Sequence, residues 1–176
     1  MSLAWLINSG PTHGITLSGY EFHDVLLVVG YRLIHASPLA GFRPGAYREN
    51  ALHLGLVAFM TTFFLGLGLK RPEVPLLREL FRIAIQEHQY EERGDAEILL
   101  WVLFVSKSSV MNQPGDDLWI IPKVKAITNR LGIHNWNAIS SILHKYPWVG
   151  CFQDAAAQTL WSESQTCRLL TNQLRV

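Results

Sequence analysis

The residues best suited to chemistry in this chain are histidines within apolar segments. His53 lies in a stretch, 51–69, that contains no charged residue. Upstream, His35 follows Tyr31 and Arg32 by four and three residues, and therefore shares a helix face with them. Because an imidazole titrates near neutral pH, His53 and His35 are candidate acid–base groups of a pocket. Tyr31 and Arg32 are candidate ligand contacts, and the competing interpretation makes both histidines hydrogen-bonded structural residues.

The common sequence signatures of catalysis are missing. The chain has no Gly-x-x-x-x-Gly-Lys phosphate loop, Gly-x-Ser-x-Gly elbow, His-Glu-x-x-His motif or Gly-x-Gly-x-x-Gly motif. No two histidines are spaced four residues apart on one helix, so we expect neither a metal nor a cofactor. An enzyme stays open as the alternative. It would be a cofactor-free cyclase, isomerase or lyase that needs only one or two polar groups in an apolar pocket.

Two acidic clusters have simple structural interpretations. One lies at a predicted helix end and consists of Glu87, His88, Glu91 and Glu92. We interpret it as a solvated helix terminus in preference to a metal site. The other, Asp116 and Asp117, precedes a predicted helix, where the helix dipole favours carboxylates. We therefore expect these two residues to cap that helix.

Composition argues against a nucleic-acid-binding protein. The net charge is +1, from 15 Lys and Arg against 14 Asp and Glu, and the basic residues are scattered. Nucleic acids are bound by concentrated positive charge, so we expect no direct contact with them. The uncharged stretch 51–69 approaches the length of a membrane span. Its histidine, glycines and threonines favour a buried core helix, and we expect no membrane contact.

The cysteine count excludes a zinc cluster within this sequence. The two cysteines, Cys151 and Cys167, do not have a Cys-x-x-Cys spacing and cannot form a structural zinc site unaided. Their separation leaves a disulfide open. The first residues resemble no signal peptide, so reduced thiols are the favoured interpretation. We expect an intracellular protein, nuclear or cytoplasmic.

The positions of the apolar residues predict an all-α fold in a single compact domain. They recur at three- and four-residue steps, and no segment alternates as a strand would. We expect about seven helices around two buried ones. The predicted helices span about 19–36, 48–65, 75–91, 95–105, 117–131, 136–143 and 154–161.

These helices divide the chain into three regions. Residues 1–19 are predicted to be a flexible arm, 20–165 the helical domain and 166–176 a tail. Within the domain, Arg78 and Arg82 are expected on the solvent side of their helix.

The tryptophans are expected to anchor helix contacts. Most of them belong to the second half of the chain: Trp101, Trp119, Trp136, Trp148 and Trp161. Trp101 lies in the apolar run 98–105 and is also a candidate ligand contact. Asp154 is a candidate cap for the last helix.

Three segments carry a family resemblance when they are taken in order. They are LLWVLFVSKSS, LWIIPKVKAITNRLGIHNWNAISSIL and KYPWVGCFQDAAAQTLWSE. They resemble the carboxyl end of the regulatory region of fungal binuclear zinc-cluster transcription factors. Upstream strings such as YRLIHASPLA extend the resemblance over about Tyr31 to Trp161. His53 stands where that family usually has Arg.

The resemblance implies regulatory binding in the nucleus, whereas the cysteine count and the charge leave no DNA-binding module in this sequence. The hypothesis is a stand-alone relative of that regulatory region, which acts through a protein partner or a small apolar metabolite, with secondary metabolism as the expected context. The alternative is a metabolite-pathway enzyme on the same scaffold, with His53 and His35 as catalytic residues. The oligomeric state stays open.

Overall fold

The chain folds as a single all-α domain, as the apolar periodicity predicted. The computed structural model describes residues 3–63, 73–87 and 92–173, with side chains up to Gln86 in the second range and up to Thr166 in the third. Those residues contain eight α-helices, one short 3-10 helix (Pro11–His13) and no strand. The α-helices are α1 (Leu3–Asn8), α2 (Gly19–Ala36), α3 (Tyr47–Thr61), α4 (Pro75–Glu87), α5 (Arg93–Ser109), α6 (Asp117–Leu131), α7 (Trp136–Leu143) and α8 (Gly150–Gln173).

Helices α3 and α5 form the centre of the fold, and they correspond to the two buried helices predicted. Every side chain of α5 from Ala96 to Ser106 is buried. Gly55 of α3 faces Trp101 of α5, and a Cβ on Gly55 would lie 2.4 Å from the indole ring. A glycine is therefore required for the two helices to approach this closely.

Local sequence signals set several helix ends. Ser18 and Glu21 form a reciprocal capping box at the start of α2, each side chain accepting the other's backbone N–H. Gly132 ends α6 with a left-handed φ of 68°. Asn135 caps α7 by accepting the amide N–H of Ala138 at 2.9 Å. The predicted bounds of these two helices, about 117–131 and 136–143, are confirmed.

The N-terminal region, expected to be a flexible arm over residues 1–19, contains a short helix. Residues 3–8 form α1, and the side-chain amide of Asn8 donates to the Trp148 carbonyl at 2.6 Å. This hydrogen bond joins α1 to the connection between α7 and α8. A six-residue helix has too few turns to show an apolar period, so the pattern could not predict it.

The structure corrects the start and the length of the last helix. Helix α8 begins at Gly150 and continues past Trp161 to Gln173. Asp154 therefore lies inside the first turns and does not precede the helix. Its Oδ1 accepts the indole N–H of Trp148 at 2.8 Å, which fixes a buried tryptophan against α8.

The structure also corrects the roles of Asp116, Arg78 and Arg82. Asp116 precedes α6 and its backbone carbonyl accepts the Ile120 N–H at 3.1 Å, but its fully buried side chain makes no cap hydrogen bond. Its Oδ1 accepts from Arg78 at 2.6 Å and from Arg82 at 3.2 Å. Its Oδ2 accepts the backbone N–H of Gln113 at 3.0 Å. Burial opposes ionisation, but these donors outweigh it and lower the pKa of Asp116. The two arginines thus join α4 to the start of α6 and do not simply face solvent.

Some predicted features fall outside the described residues. They are residues 64–65 of the second predicted helix, His88 and Glu91 of the acidic cluster, and the side chain of Cys167. Cys151 is exposed and free.

Candidate functional site

An apolar groove of about 670 Å³ lies between α2, α3 and the start of α4. We call it the α2–α3 groove. Its lining residues are His23, Leu26, Leu27, Gly30, Tyr31, Leu33, Ile34, Leu39, Val57, Met60, Thr61, Phe63, Val74 and Leu77. Small-molecule sites typically have volumes of about 300–1,000 Å³ and mostly apolar walls. The groove has both properties.

The groove exists because the apolar arc of α2 is wider than the part that packs against the core. Leu26 faces the core and is 9% exposed, whereas Leu27 and Ile34 are 46% and 41% exposed. Gly30 lines the groove between Leu27 and Ile34, and a Cβ on Gly30 would meet no atom within 4 Å. Helix α2 therefore presents apolar side chains to open space along this wall.

The groove has few polar groups. Thr61 Oγ1 donates to the Ala58 carbonyl at 2.8 Å, so its hydrogen is already used within α3. The His23 ring lies 3.9 Å from the Asp24 carboxylate. Tyr31 is 75% exposed, and its hydroxyl has no protein partner in the described part of the chain. One imidazole and one phenol in an otherwise apolar lining suit an apolar molecule with a single polar group.

His53 connects α2 to α3 and does not line the groove. Its Nε2 lies 2.8 Å from the Leu33 carbonyl oxygen, and its Nδ1 lies 2.9 Å from Nη2 of Arg43. A guanidinium can only donate, so Nδ1 accepts, Nε2 carries the proton and the ring is neutral. Burial and the Arg43 charge lower the pKa of His53, against the opposing effect of the Leu33 hydrogen bond. Both ring nitrogens therefore have protein partners.

Arg43 extends this connection to the end of α2. Its Nε donates to Asn50 Oδ1 at 2.9 Å, and its Nη1 donates to Ser37 Oγ at 3.2 Å. Partial burial lowers the pKa of Arg43. The network formed by Arg43, His53, Asn50 and Ser37 holds the C-terminal end of α2 against α3, and so fixes one wall of the groove.

Trp101 lies in the core and not at a ligand site. It is completely buried, and its indole N–H donates to the Pro147 carbonyl at 3.1 Å. Its ring stacks on Tyr146 with 5.3 Å between the ring centroids. Burial, followed by the Glu97 charge, raises the pKa of Tyr146. These contacts give Trp101 the role of a helix anchor.

The predicted site residues do not converge. Tyr31 lines the groove, whereas Arg32 and His35 are exposed and lie outside its lining. Leu27, Gly30 and Ile34 form the groove wall on α2 and were not among the predicted site residues. A glycine in the apolar arc of a long helix was the available signal, because it leaves space where a side chain would otherwise pack.

Metal and membrane features can be assessed over the same residues. Within the described ranges, no group of three or more His, Cys, Asp or Glu residues could hold a metal ion. No described helix combines the length and the apolar character needed to cross a membrane.

The chain matches no protein-family model, no curated protein and no solved structure. The resemblance to zinc-cluster regulatory regions therefore stays a prediction from the sequence. The geometry of the groove and of its surroundings provides the basis for a functional proposal.

Proposed function

We propose that the chain is a binding module whose α2–α3 groove takes a small apolar molecule with one polar group. The observation that carries this proposal is the apolar concave surface of about 670 Å³ on a folded domain. Exposed apolar patches are costly to keep in water and commonly mark binding sites. Tyr31 or His23, which lie eight residues and so about 12 Å apart along α2, would orient the polar end of the ligand. The aliphatic side chains would exclude water from the remainder.

We further propose that ligand binding serves regulation, as in a transcription-factor-like sensing module of a fungus. The support is the resemblance of about Tyr31 to Trp161 to the zinc-cluster regulatory region. A ligand that contacts α2, α3 and α4 together would stabilise their association, because binding to the folded form favours that form. The changed surface would then be recognised by a protein partner, with secondary metabolism as the expected context.

The enzyme alternative has less support in the geometry. An acid–base histidine needs a free nitrogen within hydrogen-bond reach of the reacting group. His53 uses both ring nitrogens for Arg43 and Leu33, and His35 is exposed outside the groove. Neither histidine is therefore placed for proton transfer to a molecule in the groove.

A fluorescent apolar probe tests the binding proposal. We expect N-phenyl-1-naphthylamine, an uncharged probe, to gain fluorescence on titration with the protein. Replacing Gly30 by Leu places a side chain in open groove space and should reduce probe affinity by at least about tenfold, roughly 1.4 kcal/mol. The same substitution should stabilise α2 by about 0.5–1 kcal/mol, because glycine is unfavourable within a helix.

Gly19→Leu is the matched control. Gly19 begins the same helix, a Cβ there also meets no atom within 4 Å, and it does not line the groove. We expect Gly19→Leu to leave probe affinity unchanged. Equal affinities for the wild type and both variants would place the probe elsewhere and contradict the proposal.

A further inference from the structure

We infer that α2 also mediates self-association, by pairing antiparallel with α2 of a second copy along an exposed ridge. The ridge consists of Asp24, Val28, Tyr31 and His35, which recur at steps of four, three and four residues and share one helix face. This inference goes beyond the proposed function: Tyr31 is shared with the groove, whereas Asp24, Val28 and His35 do not line it.

The ridge lies in the part of the surface with the most exposed apolar side chains. Of eleven large apolar residues that are exposed in the described structure, seven lie between residues 15 and 42. Val28 is 51% exposed and Tyr31 75% exposed, although both belong to a regular helix. Val28 and Tyr31 are three residues apart and therefore adjacent on the surface of α2, and adjacent exposed apolar side chains commonly mark an interaction surface.

The ridge is complementary to itself in the antiparallel direction. When Asp24 is placed opposite the second copy's His35, Val28 falls opposite the second copy's Tyr31. Two-fold symmetry repeats both contacts, so two Asp–His pairs flank two Val–Tyr pairs. Acidic and basic ends meet, and the apolar side chains meet in the middle.

This complementarity favours a second copy over an unrelated partner. The helix dipole explains an acid near the start of α2 and a base near its end. It does not explain the two exposed apolar side chains at the centre of the same ridge. One 18-residue helix offers less than the roughly 800 Å² per partner of a standard interface, so we expect a dissociation constant of about 10–100 µM.

Sedimentation equilibrium of the full chain tests the inference. A reducing agent is included, because Cys151 is exposed and free. We expect a monomer–dimer equilibrium for the wild type and a monomer for Val28→Glu at every concentration. Asp24→Lys should weaken the dimer at least about tenfold by placing Lys opposite His35. Adding His35→Glu should restore opposite charges and return the affinity to within about threefold of the wild type.

Glu163→Lys is the charge-matched control. Glu163 is exposed on α8, and its substitution makes the same charge change as Asp24→Lys. Circular dichroism verifies that each variant is folded. A wild type that stays monomeric to millimolar concentration would overturn the inference. A dimer unaffected by Val28→Glu, or a double variant no better than Asp24→Lys, would overturn it as well. Probe binding by Val28→Glu tests the groove separately.

Discussion

His53 shows how a residue suited to catalysis can serve structure. Its ring accepts from Arg43 and donates to the Leu33 carbonyl, so only the neutral form satisfies both contacts. Protonation would place a donor, and a positive charge, against the Arg43 guanidinium. The same property that made His53 a candidate acid or base therefore makes the α2–α3 connection sensitive to pH.

We predict that the unfolding free energy decreases as the pH falls below about 6.5, in part because of His53. The pKa of His53 is lowered in the folded protein. The unfolded chain therefore binds more protons between the two pKa values, and stability rises with pH across that interval. The contribution of His53 to the unfolding free energy is complete above about pH 6.5. It declines as the pH falls from the pKa of His53 in the unfolded chain toward its lower pKa in the folded protein.

Urea denaturation of the wild type and His53→Gln at several pH values between about 5 and 7.5 measures this effect. Glutamine can donate to Leu33 and accept from Arg43 without titrating. The two proteins should have similar unfolding free energies at the upper pH. As the pH is lowered, the unfolding free energy of His53→Gln should decrease less than that of the wild type. The other histidines are common to both proteins and cancel in the difference. Identical pH profiles would contradict the assigned role of His53.

Residue types alone predicted some roles and not others. Trp101 lies in an apolar run, which correctly placed it in the core, and burial removed it from the candidate ligand contacts. The partners of His53 could not be predicted, because Arg43 comes from a connecting segment and Leu33 contributes only a backbone oxygen. Neither contact leaves a periodic signal in the sequence.

Helix α4 is attached to α6 by one buried carboxylate, which makes this pair of helices open to a direct test. We predict that Asp116→Asn lowers the unfolding free energy by roughly 2–4 kcal/mol. The asparagine amide keeps the shape of the carboxylate but removes the negative charge that Arg78 and Arg82 face. It also replaces one acceptor oxygen by an NH2 group, which can only donate. Both arginines retain some solvent exposure, which limits the loss.

Chemical denaturation measures the loss, and Glu79→Gln is the control. Glu79 is exposed on the same helix as Arg78 and Arg82, and surface charges contribute little to stability. We expect the control to change stability by less than about 0.5 kcal/mol. An equally small loss of unfolding free energy in Asp116→Asn would contradict the prediction. It would show that the ion pairs of Arg78 and Arg82 with Asp116 contribute little to stability.

Helix ends were predictable where the signal is local. Gly132 and Asn135 act within one turn, so the sequence placed the end of α6 and the start of α7 correctly. The partners of Asp116 lie on α4, more than 30 residues away, so local rules assigned that residue to a cap. Apolar periodicity alone would also bury Leu118 in the first turn of α6, and that side chain is 82% exposed.

The α2–α3 groove belongs to the whole molecule, and the sequence did not predict it. The apolar arc of α2 indicated a buried face, and periodicity alone assigns the whole arc to the core. How much of that arc packs depends on how α2 lies against α3 and α4. That arrangement follows from tertiary contacts such as the Arg43–His53 network, and the groove is what they leave uncovered.

The charge of the whole molecule yields the last prediction, which is that this chain alone does not bind duplex DNA specifically. Its net charge is +1, and several of its cations already pair with carboxylates: Arg78, Arg82, Arg93, Lys107 and Lys145. Each phosphate contact requires a cation that can replace a counterion. Paired and scattered cations cannot neutralise a row of phosphates.

An electrophoretic mobility shift assay at moderate salt, with a pool of random duplexes, measures this property. We expect any retention to be independent of sequence and to disappear as salt is raised, because it would reflect charge alone. Lys145→Glu should leave the result unchanged, since Lys145 is already engaged with Glu97. Enrichment of one sequence from the pool by this chain would contradict the prediction. It would also require a base-reading surface that the charge distribution does not indicate.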